Sequence, residues 1–187
     1  MSIDQQALEK MEAGEEEKTR VRFFQWSQPV ITYGYLLDEN RVRSWSLENG
    51  GLEMVRRPTG GGAVIHTTEE LALSFLWPRQ RGLLPDHPQK AYAAIHRALK
   101  EGVENYLEGE KLNLFVPETK NPRAFTICFD EPVCNDVMRQ NKKIIGGALR
   151  ITSQAVLYQG TIQLTDKGNI QKLKDCLRAA IQTPETP

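Results

Sequence analysis

The chain is short of cysteine, of long apolar runs and of net charge, and each shortage removes a class of function. Three cysteines, Cys128, Cys134 and Cys176, are an odd number that fits free thiols in a reducing compartment better than a disulfide framework. Cys128 and Cys134 have no partner cysteine or histidine at ligand spacing, and Cys176 sits in a different kind of segment, so no metal site is expected. No stretch approaches the roughly 18 apolar residues that a membrane span needs. The opening Met1-Ser2-Ile3-Asp4-Gln5-Gln6 lacks the basic-then-apolar pattern of a secretory signal, which points to the cytoplasm. The 24 basic and 24 acidic residues cancel, leaving no global field to favour nucleic acid or an anionic membrane, although a partner with local charges stays compatible. There is no internal repeat, and 187 residues suit one domain.

What is present is a glycine cluster in a telling place. Arg56-Arg57-Pro58-Thr59-Gly60-Gly61-Gly62-Ala63-Val64-Ile65-His66 puts three glycines between an apolar run and a short alternating segment, with two arginines before them. Glycine lets a backbone approach a bound group closely, and arginine offers forked donors suited to carboxylate or phosphate. Taken alone, the cluster reads equally as a hairpin turn with solvated arginines. It is not a P-loop, because no Gly-Lys-Ser/Thr follows, and it lacks the long helix a dinucleotide fingerprint requires. A second element, Lys142-Lys143-Ile144-Ile145-Gly146-Gly147-Ala148, runs a lysine pair into an apolar segment that breaks at two glycines. Strict alternation puts Lys143 on a face with Ile145 and Gly147, and Lys142 with Ile144 and Gly146; periodicity alone does not say which lysine is buried.

Apolar spacing predicts a helix over Ile3 to Met11, then a charged loop to Arg20, giving an N-terminal segment 1–20 and a main domain 21–187. Strands are predicted at Val21–Trp26, Val30–Tyr35, Leu52–Arg56, Gly62–His66 and Leu71–Trp77, where Leu71, Leu73, Phe75 and Trp77 share one face. Helices are predicted at Gln89–Leu107 and Ile170–Ile181. Between them further strands are expected at Leu112–Val116, Ala124–Phe129, Asp136–Met138, Lys143–Leu149, Ala155–Tyr158 and Thr161–Leu164. His87 and His96 have no metal spacing and read as structural or solvated. Strands clustered into hairpins with few helices argue an α+β fold with a mixed, mostly antiparallel sheet and packed helices.

The glycine-loop segment, followed by Glu70-Leu71-Ala72-Leu73-Ser74, then Lys143-Ile144-Ile145-Gly146-Gly147-Ala148 and Gly160-Thr161-Ile162, resembles the biotin and lipoate protein ligase superfamily, in its lipoate branch. Trp26-Ser27-Gln28-Pro29-Val30-Ile31-Thr32-Tyr33-Gly34-Tyr35 is similar to the segment that opens the catalytic domain there, and the resemblance runs from Arg22 to Leu164. It implies the superfamily's class II aminoacyl-tRNA synthetase-like fold. It also implies attachment of a lipoyl or octanoyl group to the lysine of a lipoyl carrier domain, either a 2-oxoacid dehydrogenase E2 or a glycine cleavage H protein.

Lys143 matches the family's essential lysine, whose ammonium would contact the acyl carbonyl. The resemblance assigns substrate binding to Arg56, Arg57, Gly60, Gly61, Gly62, His66, Tyr33, Gly147, Ala148, Gly160 and Thr161, with Arg57 or Arg56 fixing the register. His66 reads as a structural or a catalytic histidine. Asn135-Asp136 resembles the Asn-Asp pair that ligases carry to organise the nucleotide site, which points to ligation with ATP and Mg2+. Cys128 lies fifteen positions before Lys143, and its Cys-Phe-Asp-x-Pro setting looks like the cysteine-dependent octanoyltransferases. In that reading Cys128 is a nucleophile, no cofactor is needed and an acyl carrier protein is the donor; the alternative is a small buried residue. Two departures stand out. Gln159 replaces the histidine that many relatives have before the glycine, and after Leu164 there is room for little more than one helix. A ligase would then need a separate accessory subunit, and a non-catalytic, carrier-binding member of the family is the third reading.

Overall fold

The computed structural model describes residues 3–79, 84–118, 129, 131–164 and 168–182. A six-stranded antiparallel sheet has the order β1-β5-β9-β8-β7-β6, formed by β1 (Arg20–Phe24), β5 (Leu71–Pro78), β9 (Ala155–Ile162), β8 (Lys142–Ile151), β7 (Val137–Arg139) and β6 (Asn113–Leu114). A smaller sheet has the order β3-β2-β4, from β3 (Glu53–Arg57), β2 (Val30–Gly34) and β4 (Ala63–His66). In it β2 pairs parallel with β3 and antiparallel with β4.

Each face of the large sheet has its own cover. Leu71, Leu73, Phe75 and Trp77 of β5 join Tyr158 and Ile162 of β9 under α3 (Pro88–Tyr106) and α4 (Ile170–Gln182), whose Leu99, Val103, Leu173 and Leu177 complete the main core. The opposite face holds Leu76, Ala155 and Leu157, and α1 (Ile3–Glu12) buries Ala7, Leu8 and Met11 against them. The segment set apart in the sequence as 1–20 therefore begins with a helix packed on the sheet. Beside α1, on that same face, lies the small sheet.

Several elements depart from the periodicity reading. The helix α2 (Glu39–Glu48) was not predicted, because it buries only Val42 and Ser46 and so has almost no apolar stripe. Its start is marked by Asp38, whose side chain accepts from the Arg41 amide at 3.0 Å, a side-chain N-cap. A parallel β2–β3 pair needs a crossover longer than a hairpin, and α2 supplies it. The two strands expected at Ala155–Tyr158 and Thr161–Leu164 are one, β9. Gly160 does not break it: a Cβ there, or at Gly147, would run into the Tyr158 ring, so these glycines admit a close approach. The expected strand at Leu112–Val116 shrinks to the two residues of β6. That at Ala124–Phe129 lies outside the described residues except for Phe129.

Strict alternation fails at β8. Met138 pairs with Lys143 while its neighbour Val137 pairs with Ile145, so Ile144 is the extra residue of a β-bulge. Ile144 and Ile145 both enter the helix-covered core. Lys143 emerges on the opposite face, beside Gly146 rather than with Ile145 and Gly147, while Lys142 is exposed.

Candidate active site

The two sheets enclose a cavity of about 180 Å³. Its floor is two registered rows of the large sheet, Phe24–Ala72–Thr161–Gly146 and Arg22–Ser74–Gln159–Ala148. Its roof is the inward face of the small sheet, where Thr32, Val55, Arg57, Val64 and His66 line it. Trp26 closes one side and the glycine loop another.

Lys143 lines the cavity with its side chain one-tenth exposed, and its Nζ lies 2.8 Å from Asp136 Oδ2 and 4.6 Å from the centre of the Phe129 ring. A Cβ on Gly146 would occupy the place of the lysine chain, which explains the first of the two glycines. Asp136 is fully buried. It accepts from the Tyr92 hydroxyl at 2.5 Å and from the Val133 amide at 2.7 Å, so its charge is shared among three donors. Burial first, and the Asp136 charge second, raise the Tyr92 hydroxyl well above its ordinary range and keep it a donor. Behind Tyr92 stacks His96, with ring centres 4.0 Å apart and its Nε2 2.8 Å from the Tyr158 hydroxyl.

His96 is completely enclosed, and burial pushes its pKa down to about 3. Above the ordinary histidine value of 6.5 it is neutral both folded and unfolded; below that only the unfolded chain takes the proton. Stability is therefore expected to fall by roughly 1.4 kcal/mol per pH unit between about 6.5 and about 3. Urea unfolding at about pH 7.5 and about pH 5 should show a larger loss for the native chain than for His96→Gln. Equal losses would contradict it.

The glycine loop is held from behind by Arg57. Its Nη2 donates to the Gly60 and Gly62 carbonyls at 3.1 and 2.8 Å, and its Nη1 to Thr32 Oγ1 at 2.6 Å. All three acceptors are neutral, and burial pushes the guanidinium pKa down to about 10, still charged at neutral pH. Gly61 has φ +87°, a conformation that favours glycine, and lies over Ala148. Thr32 Oγ1 is also 2.7 Å from His66 Nε2, and His66 Nδ1 is 3.1 Å from Glu70 Oε1, although the ring directs that nitrogen off the straight line to the carboxylate. Glu70 accepts from the Thr67 amide, Thr161 Oγ1 and Gln163 Nε2 at 2.5, 2.8 and 3.1 Å. Burial opposes its ionisation, but the neighbouring His66, Gln163 and Thr161 outweigh that and bring its pKa below the usual carboxylate range.

Of the residues proposed from sequence, Arg56, Arg57, Gly61, Gly62, His66, Lys143, Gly147, Ala148, Gly160 and Thr161 line this one cavity. Gly60 stands just behind it as an Arg57 acceptor. Arg56 is exposed at its rim and donates to the Tyr35 carbonyl. Tyr33 points the other way, into the core between the small sheet and α2, and its neighbour Thr32 is the strand residue that meets the cavity. Asn135 is half-buried with φ +72°. Cys128 lies outside the described residues; Phe129, next to it in sequence, lines the cavity. Sequence reasoning gave no role to Thr32, Glu70, Tyr92 or Asp4. Glu70 stands four residues after His66, a spacing that was available to read. Asp4 had no local signal: α1 carries it across to Gln159, whose Nε2 donates to it at 2.6 Å, and to Arg22 at 2.8 Å. Thr59 donates to the other end of the Gln159 amide at 2.9 Å. Among the described residues no group of three or more histidine, cysteine or acidic side chains could hold a metal, and no helix is long and apolar enough to cross a membrane.

With its two facing sheets, a lysine on a bulged strand and a glycine loop gripped by arginine, the chain belongs to the lipoyl protein ligase A/B catalytic domain family, which matches residues 1–186. It is 31% identical over 171 residues to octanoyltransferase LipM of Brevibacillus brevis, an alignment covering 88% of this chain and 60% of the relative. The chain thus spans about three-fifths of the length of that curated relative. Its fold is that of lipoate-protein ligase A bound with ATP, with a TM-score of 0.67 at 17% identity over 88% of this chain and 72% of that one. A bi-partite lipoate protein ligase from Thermoplasma acidophilum, solved with its E2 lipoyl domain, aligns with a TM-score of 0.55 at 19% identity over 88% and 70% of the two chains.

Proposed function

We propose that the protein attaches an octanoyl or lipoyl group to the lysine of a lipoyl carrier domain. The observation that carries this reading is Lys143, an ammonium fixed by Asp136 and Phe129 at the wall of a cavity whose other walls include Phe24, Trp26, Val55 and Leu73. A preorganised cation at that point stabilises the charge that develops on an acyl oxygen as a nucleophile attacks. The apolar walls would take the acyl chain. A lipoyl domain as partner is supported by the E2 lipoyl domain solved with the bi-partite archaeal ligase, and an H protein is the other carrier of that kind. The thiol composition supports a cytoplasmic setting.

Between ligation and transfer, Asp136 favours transfer. As the nucleotide-organising residue of a ligase it would have to meet ATP or hydrated magnesium, yet it is fully buried and committed to Lys143, Tyr92 and the Val133 amide. No step is therefore assigned to a nucleotide. The LipM relative's name as an octanoyltransferase supports the same choice. In the transfer reading the Cys128 thiolate attacks the acyl carbonyl of an acyl carrier protein thioester, and the carrier thiol leaves. The target lysine amine then attacks the Cys128 thioester and the enzyme thiol is released. Lys143 serves both attacks through the same carbonyl oxygen.

The test is to weigh an apo lipoyl domain after incubation with the protein and either octanoyl carrier protein alone, or octanoate or lipoate with Mg-ATP. Modification from the carrier without ATP, abolished in Cys128→Ala with loss of an enzyme-bound thioester, is the expected result. Modification that requires ATP and free acid would make the protein a ligase, working with any accessory subunit it needs, and would make Cys128 structural. No modification in either arm, with the lipoyl domain still bound, would favour a non-catalytic member.

A further inference from the structure

The cavity roof contains a directed chain of four side chains, Arg57, Thr32, His66 and Glu70, with Thr32, His66 and Glu70 each more than nine-tenths buried. We infer that Thr32, His66 and Glu70 are positioning residues that couple the Glu70 charge to Arg57, with His66 neutral and protonated on Nδ1, and that this coupling fixes the Gly60–Gly62 loop over the cavity.

A guanidinium only donates, so Thr32 Oγ1 accepts from Arg57 Nη1 at 2.6 Å. The Thr32 hydroxyl proton then needs an acceptor, and among the described residues its other hydrogen-bond partner is His66 Nε2 at 2.7 Å. Nε2 must therefore present a lone pair, which puts the single imidazole proton on Nδ1, 3.1 Å from Glu70 Oε1, where the carboxylate attracts it although the N–H is not aligned as a hydrogen bond. Glu70 is held in place from the other side by the Thr67 amide, Thr161 and Gln163. A carboxylate on the β4–β5 connection thus balances a guanidinium that, among the described residues, touches no carboxylate of its own, through two oriented dipoles. Arg57 spends its remaining contacts on the Gly60 and Gly62 carbonyls, so the orientation of the loop depends on where Arg57 is held. Because Thr161 stands on the floor and Thr32 in the roof, the chain also sets the separation of the two sheets at the cavity.

The first test needs no substrate. Imidazole ¹⁵N NMR at neutral pH, with His66 assigned by its loss in His66→Gln, should give the neutral Nδ1–H pattern. An Nε2–H tautomer or an imidazolium overturns the inference. The second test rests on the acyl-transfer reading given above. Thr32→Val, which keeps the shape and deletes the hydroxyl, should lower kcat roughly tenfold with little change in KM, the size of one lost hydrogen bond to a charged group. Thr32→Ser should restore most of the loss. Glu70→Gln should cost about as much as Thr32→Val, and the double variant no more than either single one, since both interrupt one chain. Losses that multiply instead overturn the coupling. If no acyl transfer is found with any carrier, the NMR result still decides, so failure of the functional reading and failure of this inference are distinguishable.

Discussion

Replacing Lys143 with methionine is expected to slow acylation of a lipoyl domain by roughly 10²- to 10³-fold, the loss typical when one preorganised donor to a developing oxyanion is removed. Methionine keeps the unbranched chain that lies over Gly146 and against Phe129, so the cavity keeps its lining. It deletes only the ammonium. Single-turnover measurements separate the two ways this can act: the slow step should be acyl transfer itself, with donor binding little changed. Asp136 retains Tyr92 and the Val133 amide in that variant, so thermal unfolding should confirm a folded protein. A folded Lys143→Met protein that turns over at the native rate would remove Lys143 from the chemistry.

The larger effect on stability is expected from the other half of the pair. Asp136→Ala takes the counter-charge from a lysine that is only one-tenth exposed and the acceptor from a buried tyrosine hydroxyl. Breaking a buried pair from one side costs about 3–5 kcal/mol, because the charge left behind has neither water nor partner. Against a total of roughly 5–15 kcal/mol for a domain, that leaves little margin. Urea unfolding measures it directly. Asp136→Asn keeps a single acceptor oxygen where Tyr92 and the Val133 amide use one carboxylate oxygen each, and it strands the lysine as well, so it should lose only somewhat less; Lys143→Met in the Asp136→Ala background should recover part of the loss by removing the stranded ammonium. A loss below about 1 kcal/mol in Asp136→Ala would mean that water reaches Lys143 freely.

Much of the scaffold is legible in the chain because burial on one face writes a period. Leu71, Leu73, Phe75 and Trp77 alternate, and Ala91, Ile95, Leu99 and Val103 recur at helical spacing, since each set meets one continuous core. Where a face is not buried the writing stops, as in α2, which carries only its Asp38 cap. A bulge erases the pattern in another way, letting Ile144 and Ile145 point into one core and returning Lys143 to the cavity side. The site was legible where glycines and charged residues are contiguous. It was not legible where its parts meet only after folding: Thr32 was masked by the more conspicuous Tyr33 beside it, and Asp4 is brought to Gln159 across 155 positions of chain. No local rule connects those two.

That last contact has a bearing on the order of assembly. Asp4, Thr59 and Glu70 all close on Gln159 or Thr161 of β9, and β9 stands between β5 and β8 in the interior of the large sheet. Among the described strands it is the last to leave the ribosome. The N-terminal helix, the glycine loop and the carboxylate behind His66 are therefore synthesised long before the strand on which they converge, and contacts of such long sequence separation form late and slowly. An emerging chain presents these parts without a pocket, and the cavity is complete only once β9 stands between β5 and β8.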